Sequence, residues 1–206
     1  MEGGMDGQWP ESGGDVTSDW DVDGAAETED FRSVMRRAVG GLAVVTTLHE
    51  GRAWGMTVSA FSVVSVSPPT LLVCVGNGTV TAEDAIRDGR FAVNLLSDAQ
   101  VELSRLCARP GVAKYLDDHV LPAAALPRPV AMPVLPASLA TFDCRLQEAK
   151  PVASHFVMIG SVLSILAPPP RPALLYGEGQ YQRGIQIDAA AAAPAASPAG
   201  QVAFRK

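Results

Sequence analysis

Cysteine is scarce in this sequence: Cys74, Cys107 and Cys144 lie far apart, with no Cys-x-x-Cys pair. An odd, dispersed set argues against a disulfide framework and against a zinc site, and predicts buried thiols. Histidine is equally sparse, and His49, His119 and His155 lack the i, i+4 spacing that puts two imidazoles on one helix face, so no metal site is expected. No apolar run approaches the roughly 20 residues needed to cross a bilayer, and the N-terminal stretch shows no basic region followed by an apolar one. These absences predict a cytoplasmic protein without a membrane partner. Also missing is any Gly-x-Gly-x-x-Gly after a strand-like run, which removes the doubly wound dinucleotide site from consideration.

Basic residues are absent from residues 1–30, which hold 10 of the 22 acidic residues. The formal charge of −6 therefore conceals a body, residues 31–206, with 16 basic against 12 acidic residues and a net charge of +4. A mildly basic body admits anionic nucleotide ligands. It lacks the dense Lys/Arg clusters of a nucleic-acid surface, so no nucleic-acid partner is expected. What the chain has in quantity is apolar material, at 48% of 206 residues, enough to bury the core of one domain.

Composition divides the chain in three. Residues 1–27 read as a disordered acidic tail, residues 28–188 as the folded domain, and residues 189–206 as an Ala/Pro-rich tail. At the start of the domain, Phe31, Val34, Met35 and Ala38 recur at i, i+3, i+4 and i+7, predicting an amphipathic helix capped by Thr28 and ended by Gly40-Gly41. Short runs rich in β-branched residues follow at 42–48, 54–66, 70–75 and 91–96, and strand character returns at 139–148, 155–166 and 174–176. Helices are expected at 81–86 and 98–108, and the five prolines of 119–136 predict an extended loop. Many short strands with few helices predict a mainly β fold, a barrel or sandwich with peripheral helices.

Six blocks now carry a resemblance. Phe31-Arg32-x-x-Met35, Gly41-Leu42-Ala43-Val44-Val45-Thr46-Thr47, Gly55-Met56-Thr57-Val58-Ser59-Ala60-Phe61, Ser65-Val66-Ser67-Pro68-Pro69, Phe91-Ala92-Val93-Asn94-Leu95-Leu96 and Leu175-Tyr176-x-x-Gly179-x-Tyr181 stand in one order. In that order the chain resembles the short flavin reductase family, from about Phe31 to Arg183. The resemblance implies a split β-barrel of Greek-key type, usually a homodimer, with FMN or FAD in a groove near the dimer interface. It also implies hydride transfer from NADH or NADPH to the flavin, and release of reduced flavin to a flavin-dependent monooxygenase.

The same resemblance assigns residues. Thr57, Val58, Ser59 and Ala60 would meet the edges of the flavin ring through backbone and hydroxyl groups, and Ser65 and Val66 would bring further backbone toward it. Pro68-Pro69 would equally make a plain strand corner there. Asn77, Gly78, Thr79 and Thr81 occupy a strand-to-helix turn suited to a phosphate, although the Asn-Arg or Asn-Lys of the family is replaced by Gly76-Asn77. A capping box, Thr81-x-x-Asp84, explains the same residues without a ligand. His155 stands where the family reads Gly-Asp-His, here Ala153-Ser154-His155, and would orient the nicotinamide as the catalytic residue. Tyr181 would pack over flavin or nicotinamide. Two rival readings stay open: an FMN-dependent oxidase on the same barrel, and a non-catalytic flavin-binding module.

Overall fold

The computed structural model describes residues 27–186. The two expected tails lie outside the described residues, apart from Glu27. The chain forms two compact units, Met1–Met35 and Arg36–Lys206. In the first, helix α1 (Thr28–Met35) exposes its apolar stripe of Phe31, Val34 and Met35 and carries an Arg32–Glu29 ion pair. It begins at Thr28 instead of after it, and it ends well before the expected Gly40-Gly41 stop. The cause lies in the backbone that follows. The Arg36 carbonyl accepts from the Glu178 N–H, and Gly40 and Gly41 pair with Tyr176 and Leu175, so groups that would extend a helix are committed to a sheet.

Among its described residues the second unit contains ten strands: β1 (Gly40–Gly41), β2 (Ala43–His49), β3 (Arg52–Val58), β4 (Phe61–Val66), β5 (Pro69–Gly76), β6 (Arg90–Leu95), β7 (Ala140–Val152), β8 (His155–Leu166), β9 (Leu174–Gly177) and β10 (Gln180–Arg183). Two helices accompany them, α2 (Val80–Asp88) and α3 (Val101–Ala108). Seven strands form one antiparallel sheet in the order β3-β2-β6-β7-β8-β5-β4, and β1, β9 and β10 form a small second sheet. The β2–β6 and β5–β8 neighbours are crossovers between hairpins, which is Greek-key connectivity. The fold is mainly β, as the composition predicts.

One expected strand, 54–66, is two. β3 and β4 sit at opposite ends of the sheet order, yet only Ser59 and Ala60 separate them in sequence. The sheet must therefore curl until its two edges meet at this bend. The Cys74 N–H, on β5, donates to the Ala60 carbonyl at 2.9 Å, which extends the β4–β5 ladder into the bend. The curl encloses a core of Val45, Val58, Val73, Val75, Phe91, Val93, Cys144 and Met158. β5 shows the underlying pattern: Leu71, Val73 and Val75 alternate inward at the period of two. Each such side chain contributes about 1.5–3 kcal/mol on burial.

A second core lies on the other face of β2 and β3, where Leu42, Val44, Ala53, Leu96, Cys107, Leu116 and Leu174 pack together. Gly55 makes this possible. A Cβ there would stand 2.5 Å from Leu116 Cδ1 and 3.2 Å from Cys107 Sγ, so α3 and the 116 segment approach β3 only because the residue is glycine.

The remaining expectations fare variously. The 119–136 region is irregular, with a single short 3-10 turn at Ala123–Ala125 inside it and another, Asp117–His119, at its start. The 98–108 helix resolves into a 3-10 turn, Asp98–Gln100, followed by α3. The 81–86 helix is α2, but its cap is Thr79, whose Oγ1 accepts from the Ala82 N–H at 3.3 Å. The Thr81-x-x-Asp84 capping box is thereby corrected. Thr81 lies inside the first turn, while buried Asp84 pairs with His49 Nδ1 at 3.1 Å and Arg87 at 2.6 Å.

Candidate active site

A cleft of about 610 Å³ opens where β3 leaves the barrel wall. Such a volume lies within the usual range for cofactor sites, about 300–1,000 Å³. Thr57, Val58 and Ser59 form one side, Ser104, Arg105 and Ala108 of α3 the second, and Tyr176, Gly179, Gln180 and Tyr181 of the β9–β10 hairpin the third. The walls are cross-linked through Ser104, which is fully buried. Thr57 Oγ1 donates to the Ser104 carbonyl at 2.8 Å, and the Tyr181 hydroxyl donates to Ser104 Oγ at 3.2 Å. Thr57 has thus spent its one hydroxyl proton and can offer a ligand only lone pairs.

The pairing of β3 with β2 ends at Val58–Ala43, which leaves Ser59 and Ala60 exposed with their N–H groups outside that ladder. From Ala60 the Cys74 bond leads along β5 to Gly76, which pairs with His155 at the start of β8. The Asn77 N–H donates to the Ser154 carbonyl at 3.0 Å, so the 76–79 turn and the turn before His155 are bound together. His155 is exposed, and its Nδ1 lies 2.9 Å from Ser154 Oγ. Ala153 holds φ +48°, the left-handed region that a glycine occupies without strain.

The structure therefore sorts the expected residues into three places. Thr57, Val58, Ser59 and Tyr181 share the cleft. Asn77, Gly78, Thr79 and His155 gather at the adjoining turns, with Ala60 between the two groups. Thr81 does not join them: it is 1% exposed and its Oγ1 is buried without a partner. Ser65 and Val66 lie at the far end of β4, in a separate apolar groove of about 360 Å³ with Phe61, Leu71, Phe142 and Val162. Ser65 Oγ there accepts from the Ser67 N–H, inside the turn that carries a cis Ser67–Pro68 peptide.

Ser104, Arg105 and Gln180 are cleft residues that pattern reading missed, and Tyr176, which stands in the last family block, joins Tyr181 there. The apolar positions of 98–108 point to a buried face but not to its partner, so nothing in the pattern singled out Arg105. Cys107 lies one turn beyond Ser104, and burial pushes its thiol up to about 12, so it is no nucleophile at neutral pH.

Hydroxyls on three walls, one guanidinium, and the apolar surfaces of Leu42, Val58 and Ala108 suit a flat aromatic ligand with polar edges and an anionic tail. A Greek-key barrel with that cleft at its closing bend defines a nucleotide-cofactor barrel. The chain belongs to the flavin reductase-like family: the model of the Flavin reductase like domain matches residues 35–184. Among curated relatives, the reductase subunit HsaB of a flavin-dependent monooxygenase from Rhodococcus jostii is 32% identical over 183 residues, covering 87% of this chain and 90% of its own. The FMN reductase (NADH) RutF of Methylorubrum populi is 31% identical over 165 residues, covering 80% of each. Among solved structures, the NADH:FAD oxidoreductase SgcE6 of Streptomyces globisporus matches with a TM-score of 0.67 and 26% identity, over 79% of this chain and 96% of that one.

Proposed function

We propose that this protein is an NADH-dependent flavin reductase that supplies reduced flavin to a partner monooxygenase. The observation that carries the reading is the cleft: the family's Gly55–Phe61 block forms the bend between the two ends of the sheet, and its Thr57, Val58 and Ser59 line a site of cofactor size. Of the relatives named above, one is an FMN reductase (NADH), one an NADH:FAD oxidoreductase and one the reductase subunit of a flavin-dependent monooxygenase.

Flavin supplies the acceptor for the hydride of a reduced nicotinamide. The chain's own residues bind and orient. Ser59 and Ala60 offer N–H groups to the polar edges of the ring, Val58 and Leu42 give it apolar surface, and Tyr181, held by Ser104, fixes the opposite wall. In this reading His155, whose Nδ1 is engaged by Ser154, orients the nicotinamide from the adjoining turn. Positioning is the main contribution asked of the protein, because hydride transfer needs no protein base.

The finer assignments belong to the same reading. The apolar groove at Ser65 and Val66 is the face on which two copies form a homodimer, with Val63 and Val66 71% and 83% exposed at its rim. Three free thiols suit a reducing, cytoplasmic compartment, and no helix among the described residues is long and apolar enough to cross a membrane.

The deciding experiment is NADH and NADPH oxidation, followed by near-ultraviolet absorbance, with FMN, FAD or riboflavin added in turn. Oxidation that saturates with added flavin is expected. Flavin binding with no oxidation above the protein-free rate would sink the reading and favour a flavin-binding module. Turnover of an organic amine by retained FMN would favour an oxidase.

A further inference from the structure

The turn expected to hold a phosphate has no cation: Gly76-Asn77-Gly78-Thr79 contains neither Lys nor Arg. Among the described residues lining the cleft, Arg105 alone is charged, and no carboxylate joins it there. Its backbone is firmly placed. The preceding residue, Ser104, is bonded by Thr57 from β3 and by Tyr181 from β10. Its guanidinium stands 5.3 Å from the centroid of the Tyr181 ring, a separation at which a cation is attracted by the aromatic face.

The head group is otherwise only loosely engaged. Arg105 Nη1 donates to Glu102 Oε1 at 2.6 Å, one turn back along α3 and outside the cleft. The two side chains are 54% and 82% exposed, and a solvated pair of this kind is weak and readily exchanged. A guanidinium carries five N–H donors in a planar fork. Glu102 takes one of them. The rest can accept the oxygens of a phosphate in the paired geometry that arginine favours.

We propose that Arg105 is the anion anchor of the cleft, exchanging Glu102 for the phosphate of the nucleotide that enters. The proposal rests on the reading of the cleft as a nucleotide site and adds the residue that recognises the charged part. Phosphate and Glu102 compete for one cation, so each binding event breaks an existing ion pair. That competition limits affinity for the nucleotide without weakening contacts to the ring. It suits a protein that must let its reduced flavin go.

The phosphate can come from the flavin nucleotide or from the nicotinamide dinucleotide, and direct binding separates the two. Dissociation constants are to be measured by fluorescence titration for FMN, riboflavin and NADH, on the wild-type chain and on Arg105→Ala, Arg105→Lys and Glu102→Gln. Riboflavin has the same ring and no phosphate. Arg105→Ala should weaken FMN about tenfold while riboflavin stays within about twofold, as expected for loss of one charge-assisted contact. Arg105→Lys should recover part of the loss, because it restores charge but not the fork. Glu102→Gln should tighten FMN about threefold by removing the competitor. A loss confined to NADH, with the FMN-to-riboflavin ratio kept, supports the anchor and assigns it to the nicotinamide. If Arg105→Ala leaves FMN and NADH unchanged, or weakens riboflavin as much as FMN, the anchor is overturned and Arg105 only packs on Tyr181. A wild-type chain that binds FMN but oxidises no NADH defeats the reductase reading while these ratios still decide the anchor. An active reductase whose nucleotide affinities ignore Arg105 defeats the anchor alone.

Discussion

Two openings on the same barrel invite opposite ligands. The cleft at the closing bend mixes the hydroxyls of Thr57, Ser59, Ser104 and Tyr181 with a guanidinium, whereas the groove at the far end of β4 is walled by Phe61, Leu71, Phe142, Val162 and the exposed rim of Val63 and Val66. Polar groups in the first are already ordered by one another through Ser104, so a ligand meets donors and acceptors in fixed positions. The second offers few polar groups to fix an orientation, and burying it against another apolar surface is what would stabilise it. The polar cleft and the apolar groove thus occupy separate parts of the wall, although the family blocks that reach them lie within the short stretch from Gly55 to Pro69.

The largest expected effect comes from filling the space beneath each wall. At Gly55 a Cβ meets Leu116, Val44 and Cys107, and at Gly160 it meets Phe91 Cζ at 2.6 Å. Alanine at either position should cost about 1–3 kcal/mol of stability by overpacking, read from urea unfolding. The two should part in binding. Gly55→Ala displaces α3, and with it Ser104 and Arg105, so flavin affinity should fall. Gly160→Ala strains the barrel interior and should leave affinity intact below the unfolding transition. Equal loss of flavin in both variants would erase the distinction between the regions.

Next comes the groove. Val66→Asp puts a charge on a residue that is 83% exposed in the single chain, so unfolding stability of the monomer should change by less than about 0.5 kcal/mol. Sedimentation should show a dimer for the parent and a monomer for the variant. A variant that remains dimeric would move the interface elsewhere. The smallest effect belongs to the turn beside His155. Ala153 sits at φ +48°, where glycine is unstrained, so Ala153→Gly should raise stability by up to about 1 kcal/mol. No gain in the urea midpoint would mean that the left-handed conformation is relaxed there.

Much of the frame was legible from pattern. Alternation at 70–75 and the β-branched runs at 42–48 and 91–96 correspond to β5, β2 and β6, because period-two burial is written into local sequence. Gly55 and Gly179 stood in the family blocks, but that Gly55 admits close packing and that Gly179 turns at φ +77° is visible only in the fold. Cap identity was less legible. Thr79 and Thr81 are both plausible first-turn hydroxyls, and only the entry direction of the chain from Gly76 selects Thr79, whose Oγ1 also donates to the Gly76 carbonyl at 2.7 Å.

Local pattern was enough for most of the strands, the mainly β class and the family, because hydrophobic periodicity and ordered motif blocks are local properties. Only the tertiary structure decided that 54–66 bends at Ser59–Ala60 and joins opposite sheet edges. It alone carried Ser65 and Val66 away from the cleft and brought Arg105 into it beside Tyr181. Those outcomes depend on how a twisted sheet closes and on which helix fits against Gly55. Both are fixed by contacts between residues distant in sequence, which no local pattern encodes.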